Sequence, residues 1–136
     1  MQLVIGVGAL FVIVQFAHDH GLGAALSHAA GHGLSGPALL QLAGVGALGA
    51  NLVDNLPSYL ALEPVTDGSP LRLAALLVGV NAGPLITPWA SLATLLWAGR
   101  CHSAGVAVSW QRFAIRGALL VPPLLVISVL ALWLAY

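Results

Sequence analysis

From Gly79 to Trp97 the chain reads GVNAGPLITPWASLATLLW, an apolar run that contains Asn81, a Gly-Pro pair, a second proline at 88, Ser91 and Thr94. Each proline removes an N–H donor and blocks helix continuation. In lipid, unpaired backbone survives only when it is buried in protein or lines a cavity. The stretch therefore constrains the fold twice: it must be helical on both sides, and it must be unwound in the middle for a reason.

Composition says where such a helix lives. The sequence has 136 residues, 60% hydrophobic and 6% charged, with four Lys+Arg and four Asp+Glu. Soluble domains carry about 25% charged residues, so this chain cannot coat a globule with a hydrated surface. It reads as an all-α, polytopic membrane protein in the cell (inner or plasma) membrane. No basic stripe invites nucleic acid. The single Cys101 excludes an internal disulfide and a CxxC site. No nucleophile–base pair, HExxH or acid dyad is present, so an enzyme is not expected, and no cofactor is implied beyond a coupling ion, H+ or Na+.

The sequence divides into a helix over 2–17, a His-rich connector over 18–36, a hairpin over 37–64, a broken helix over 71–99, a polar connector over 100–112 and a last helix over 113–135 with a kink at Pro122-Pro123. Met1-Gln2 lacks the basic start of a signal peptide. The first apolar segment is shorter than the roughly 20 residues of a full crossing, as a truncated first helix would be. Residues 37–64 contain a polar break, which suits a re-entrant hairpin that enters and leaves by one face. Arg100, Arg112 and Arg116 cluster at the 100–112 connector. The positive-inside rule places that connector in the cytoplasm and the C-terminus outside.

Two breaks carry the candidate chemistry. At NLVDNLPS (51–58), Asn51, Asp54, Asn55 and Ser58 crowd around Pro57 between apolar arms. An intramembrane acid is costly, so Asp54 is read as a proton-coupling or cation-binding group; its plainer role is to cap the half-helix that follows. At the second break, Asn81, Gly83, Pro84, Thr87, Pro88, Ser91 and Thr94 surround carbonyls freed from the helix ladder. Ser91 is a good N-cap, and the N–H groups beyond it form the positive end of a half-helix. Matched discontinuous helices mark transporter binding sites at the midplane.

Other signals have smaller readings. GVGALG (44–49) matches GxGxxG but lacks the strand a dinucleotide site needs; close helix packing explains it better. His28 and His32, four apart, share a helix face and with His18 or Asp19 form the lesser reading, a zinc site. Trp97, Trp110 and Trp133 suit the membrane interface, and Arg112 and Arg116 can snorkel to headgroups.

These residues carry a resemblance. GVNAGPLITPWASLATLLW, preceded by NLVDNLPSYLAL and followed by SWQRFAIRGALLVPPLLVISVLAL, resembles the C-terminal part of arsenite/antimonite efflux permeases. These belong to a superfamily that also holds sodium/proton antiporters and citrate-type carriers. The resemblance implies two inverted repeats, each with a re-entrant hairpin and a broken helix, with the solute held between them. This chain would supply one repeat, as a fragment or a split gene product. Asn55, Pro57 and Ser58 would match the hairpin tip, and Gly83 to Thr94 the broken helix. Asp54 stands where the family usually has asparagine.

The implied function is export of a small oxyacid such as arsenite or antimonite. Expected partners are that inorganic oxyacid or anion, the bilayer and an N-terminal repeat of the same permease, with a homodimer left open. The rival readings are a cation/proton antiporter or carboxylate carrier on the same scaffold, and a non-transporting fragment or zinc-responsive accessory subunit.

Overall fold

A computed structural model of the chain describes residues 2–136, leaving aside the side chains at 2–4, 6, 7, 10 and 18. The fold is all-α, with no strand among the described residues. Helix α1 (Gln2–Ala17) passes through a wide turn at His18–Leu22 into α2 (Gly23–Ala30). Then come α3 (Gly36–Val53), α4 (Asn55–Leu62), α5 (Pro70–Ala82), α6 (Leu92–Ser103) and α7 (Trp110–Ala135). By length and composition, α3 and α7 can each cross a membrane.

Helix α3 is the centre of the molecule. One side packs Leu39, Ala43 and Ala47 against Leu71, Ala75 and Ala82 of α5 and the Val121, Leu125 and Val129 stripe of α7. The other packs Leu42 against Leu62, Leu76 and Val80, with Ala30 of α2 closing the cluster. Small residues bring α3 and α5 together. A Cβ at Gly79 would meet the Ala43 backbone, and one at Gly83 would stand 2.7 Å from Ala47 Cα. Gly46 packs on Leu76 and Val80, so the GVGALG segment serves helix contact.

Three boundaries differ from expectation. The 18–36 connector contains α2, because four of its eight residues are alanine, the best helix former. That helix stops at Gly31, at φ 63, so His32 lies beyond it and shares no helix face with His28. The 100–112 connector shrinks to 104–109, since α6 continues to Ser103 and α7 starts at Trp110. Gly105, at φ 74, ends α6, with Gly105 N–H donating to His102 O and Val106 N–H to Cys101 O, a Schellman closure. Finally, α7 runs on through Pro122 and Pro123. Both prolines lie on its exposed side, while Gly117, Val121, Leu125 and Val129 keep the buried side in register.

Candidate functional site at the two helix breaks

Each break falls where one helix ends against another. The first is a single residue. Asp54 has φ 123 and ψ 155, a region that only glycine enters freely and that costs about 1–3 kcal/mol for other residues. Its backbone N–H closes α3 on Ala50 O at 3.0 Å, and its Oδ1 accepts from Leu56 N–H at 3.2 Å, capping α4. Asp54 is thus the hinge. Pro57 falls in the first turn of α4, where its missing N–H has no intrahelical partner to lose. Helix α4 then folds back along α3: the buried Ser58 donates its hydroxyl to Gly46 O at 3.3 Å, and a Cβ at Gly49 would strike Ser58 Oγ. Residues 36–62 are a helical hairpin with a one-residue tip, followed by a tight turn at Glu63–Thr66.

The second break is longer. After α5, tight turns at Gly83–Leu85 and Pro88–Ala90 flank Thr87, which is extended at φ −117 and ψ 145. Ser91, also extended, caps α6 by accepting from Ala93 N–H at 3.2 Å.

One side chain joins the two breaks. Asn51, in the last turn of α3, donates from Nδ2 to Ala47 O and to Gly83 O, both at 2.8 Å. Its Oδ1 accepts from Thr87 Oγ1 at 2.7 Å. Its backbone carbonyl accepts from Trp89 Nε1 at 2.8 Å. The Gly83 carbonyl, expected to be free, takes bonds from Asn51 and from Ile86 N–H at 3.0 Å. An unwound segment in an apolar setting satisfies its polar groups internally first, and Asn51 gives Gly83 O a donor in place of the Thr87 N–H that a continuous helix would have brought to it.

The structure therefore gathers Asn51, Gly83 and Thr87, with Asp54, Asn55, Pro57 and Ser58 at the hairpin tip and Pro84, Pro88 and Ser91 along the unwound segment. Asn81 stands apart, exposed, with its amide bonded to Leu77 O of its own helix at 2.8 Å. Thr94 is half-buried inside α6.

Two further side chains hold the backbone around these segments. Trp89, one residue past Pro88, donates its indole N–H to the Asn51 carbonyl. Arg72, buried at 3% exposure, donates to Gly33 O at 2.9 Å, Gly31 O at 2.8 Å and Val65 O at 3.2 Å, while its Nε has no partner. The guanidinium ties the 31–35 link to the start of α5. Its isolation from the other arginines was the one available signal.

Among the described residues no three His, Cys, Asp or Glu side chains converge on a metal position. His28 and His32 are exposed, and the His18 side chain lies outside the described residues.

With this geometry in view, comparison with known proteins is decisive. The family pattern ArsB, arsenical pump membrane protein, matches residues 3–136. The chain belongs to that family. Relatives described as arsenical pump membrane proteins from Escherichia coli K12, Shigella flexneri and Yersinia enterocolitica are each 30% identical to it over 90 residues. The matched region is 61% of this chain and 21% of each relative, so it spans about a fifth of their length. No solved structure matches. Family membership and the apolar helices α3 and α7 place the chain in a membrane.

Proposed function

We propose that this chain is the C-terminal, solute-gripping repeat of a secondary transporter that exports a small arsenic or antimony oxyacid. Its family membership supports transport of arsenicals. The single observation that carries the site is the Asn51 bridge, which holds an unwound segment against the end of a hairpin arm. In this reading Asn51, Thr87 and Ser91 face the solute, with Asn55 and Ser58 at the hairpin tip. An oxyacid presents hydroxyl donors and oxygen acceptors; remaining lone pairs on Asn51 Oδ1 and Thr87 Oγ1 would accept and the Ser91 hydroxyl would donate, the two Nδ2 hydrogens of Asn51 being held by Ala47 O and Gly83 O.

Asp54 carries the only charge at either break and would couple solute movement to a proton or cation. The hairpin of α3 and α4 would rock with the α5–α6 break against a partnering N-terminal repeat. The 104–109 loop would face the cytoplasm of an inner or plasma membrane, by the arginine distribution.

The test is arsenite accumulation in everted vesicles from cells expressing the chain with that N-terminal repeat. The wild type should accumulate arsenite. Thr87→Val and Ser91→Ala should lose at least tenfold in rate while inserting normally. Unchanged rates in both variants would remove the site, and sodium-driven flux with no arsenite movement would favour the antiporter scaffold instead.

A further inference from the structure

At the end of the molecule where α6 and α7 meet lies a cavity of about 410 Å³. Trp97, Phe113 and Leu120 form apolar walls, Leu85 of the unwound turn closes one side, and Arg112 and Arg116 stand along the α7 edge. The aromatic walls are tied together: Trp97 and Phe113 have ring centroids 6.2 Å apart, and Trp110 meets Phe113 edge-on at 5.8 Å.

The charge around this cavity is one-sided. The four acids of the chain are Asp19, Asp54, Glu63 and Asp67; its four basic residues are Arg72, Arg100, Arg112 and Arg116. None of the four acids lines the cavity, while two of the four arginines do. Arg112 and Arg116, one helical turn apart, are both exposed. An apolar slot edged by two adjacent guanidiniums matches one kind of molecule in a membrane: a lipid with hydrocarbon chains and an anionic phosphate head. Basic pockets between membrane helices select such headgroups, and guanidinium forks bond phosphate oxygens in pairs.

We propose that the α6–α7 cavity is a binding site for one anionic phospholipid, its acyl chain along Trp97, Phe113 and Leu120 and its phosphate between Arg112 and Arg116. The site touches the transport region through Leu85. Its carbonyl is packed so closely on Gly117 of α7 that no Cβ fits between them, so a wall of the cavity and the turn that leads to Thr87 are in direct contact.

The test is lipid retention by native mass spectrometry. The full chain is reconstituted in vesicles of equal phosphatidylcholine and phosphatidylglycerol, then released into neutral detergent. One phosphatidylglycerol should stay bound in preference to phosphatidylcholine. At about fivefold per arginine, Arg112→Gln with Arg116→Gln should lower retention some 25-fold. The double lysine variant should keep more of it than the double glutamine variant, and Arg100→Gln, outside the cavity, should leave it unchanged. Cys101, which lines the cavity and is the only thiol, reports location: bound phosphatidylglycerol should slow its reaction with N-ethylmaleimide, and glycerol phosphate should not. Equal retention of both lipids would overturn the site. So would retention indifferent to both arginines in a variant with wild-type helicity, or protection of Cys101 by glycerol phosphate alone.

Discussion

Asn51 and Thr87 are joined by a 2.7 Å hydrogen bond across 36 positions of the chain. The contact lets the end of α3 hold an extended point of the break between α5 and α6. Thr87→Val removes one hydroxyl bond at nearly constant volume and should cost about 1 kcal/mol. Asn51→Ala also strips a donor from Gly83 O and should cost about 2–3 kcal/mol. In a double-mutant cycle the two losses should fall short of additivity, because they share a bond. Urea titration in mild detergent, read by tryptophan fluorescence, measures all three variants.

The glycines of α3 and α5 separate packing from propensity. Gly79→Ala places a methyl group into the Ala43 backbone and should destabilise by at least about 1–3 kcal/mol as the helices part. Gly44→Ala meets nothing within 4 Å and should stabilise by about 0.5–1 kcal/mol, since glycine is a poor helix residue. Thermal unfolding of the two variants should shift in opposite directions.

Asp54 combines a strained backbone with a cap. Asp54→Gly relieves the strain and loses the cap, so its net effect on stability should stay within about 1 kcal/mol of zero. Asp54→Ala loses the cap and keeps the strain, and should cost about 1 kcal/mol. Asp54→Asn keeps cap and backbone and removes only the charge. Transport by that variant therefore isolates the charge: efflux at the wild-type rate, unaltered by external pH, would exclude Asp54 from coupling.

Arg72 holds three backbone carbonyls from two loops. Arg72→Met keeps most of its volume but abandons all three, and should cost roughly 3 kcal/mol. Lysine cannot span the same three acceptors, so Arg72→Lys should recover less than half of that loss. Hydrogen exchange at residues 31–35 is the local readout, and it should accelerate in both variants before α3 itself opens.

Much of the architecture was legible in one dimension. Scarce charge and long apolar runs announce membrane helices. Pro84 and Pro88 mark the longer break, because a missing N–H is a property of the residue itself, and Ser91 announces the start of α6. The hairpin tip was legible only to within a few residues. Asp54 was legible as the cap of α4 but not as the hinge, since its positive φ follows from α4 being pressed back against Gly46 and Gly49 of α3.

The sequence by itself determined that this chain would be membrane helices interrupted at two places, since hydropathy and proline act locally. Only the tertiary structure decided what fills the interruptions. The partners of Asn51 in the second break lie 32 to 38 positions away and those of Arg72 up to 41. Pairings over such distances are chosen by how closely α3 and α5 approach, which depends on packing throughout the bundle. That is why an amide read as one polar residue among several emerged as the bridge between both breaks.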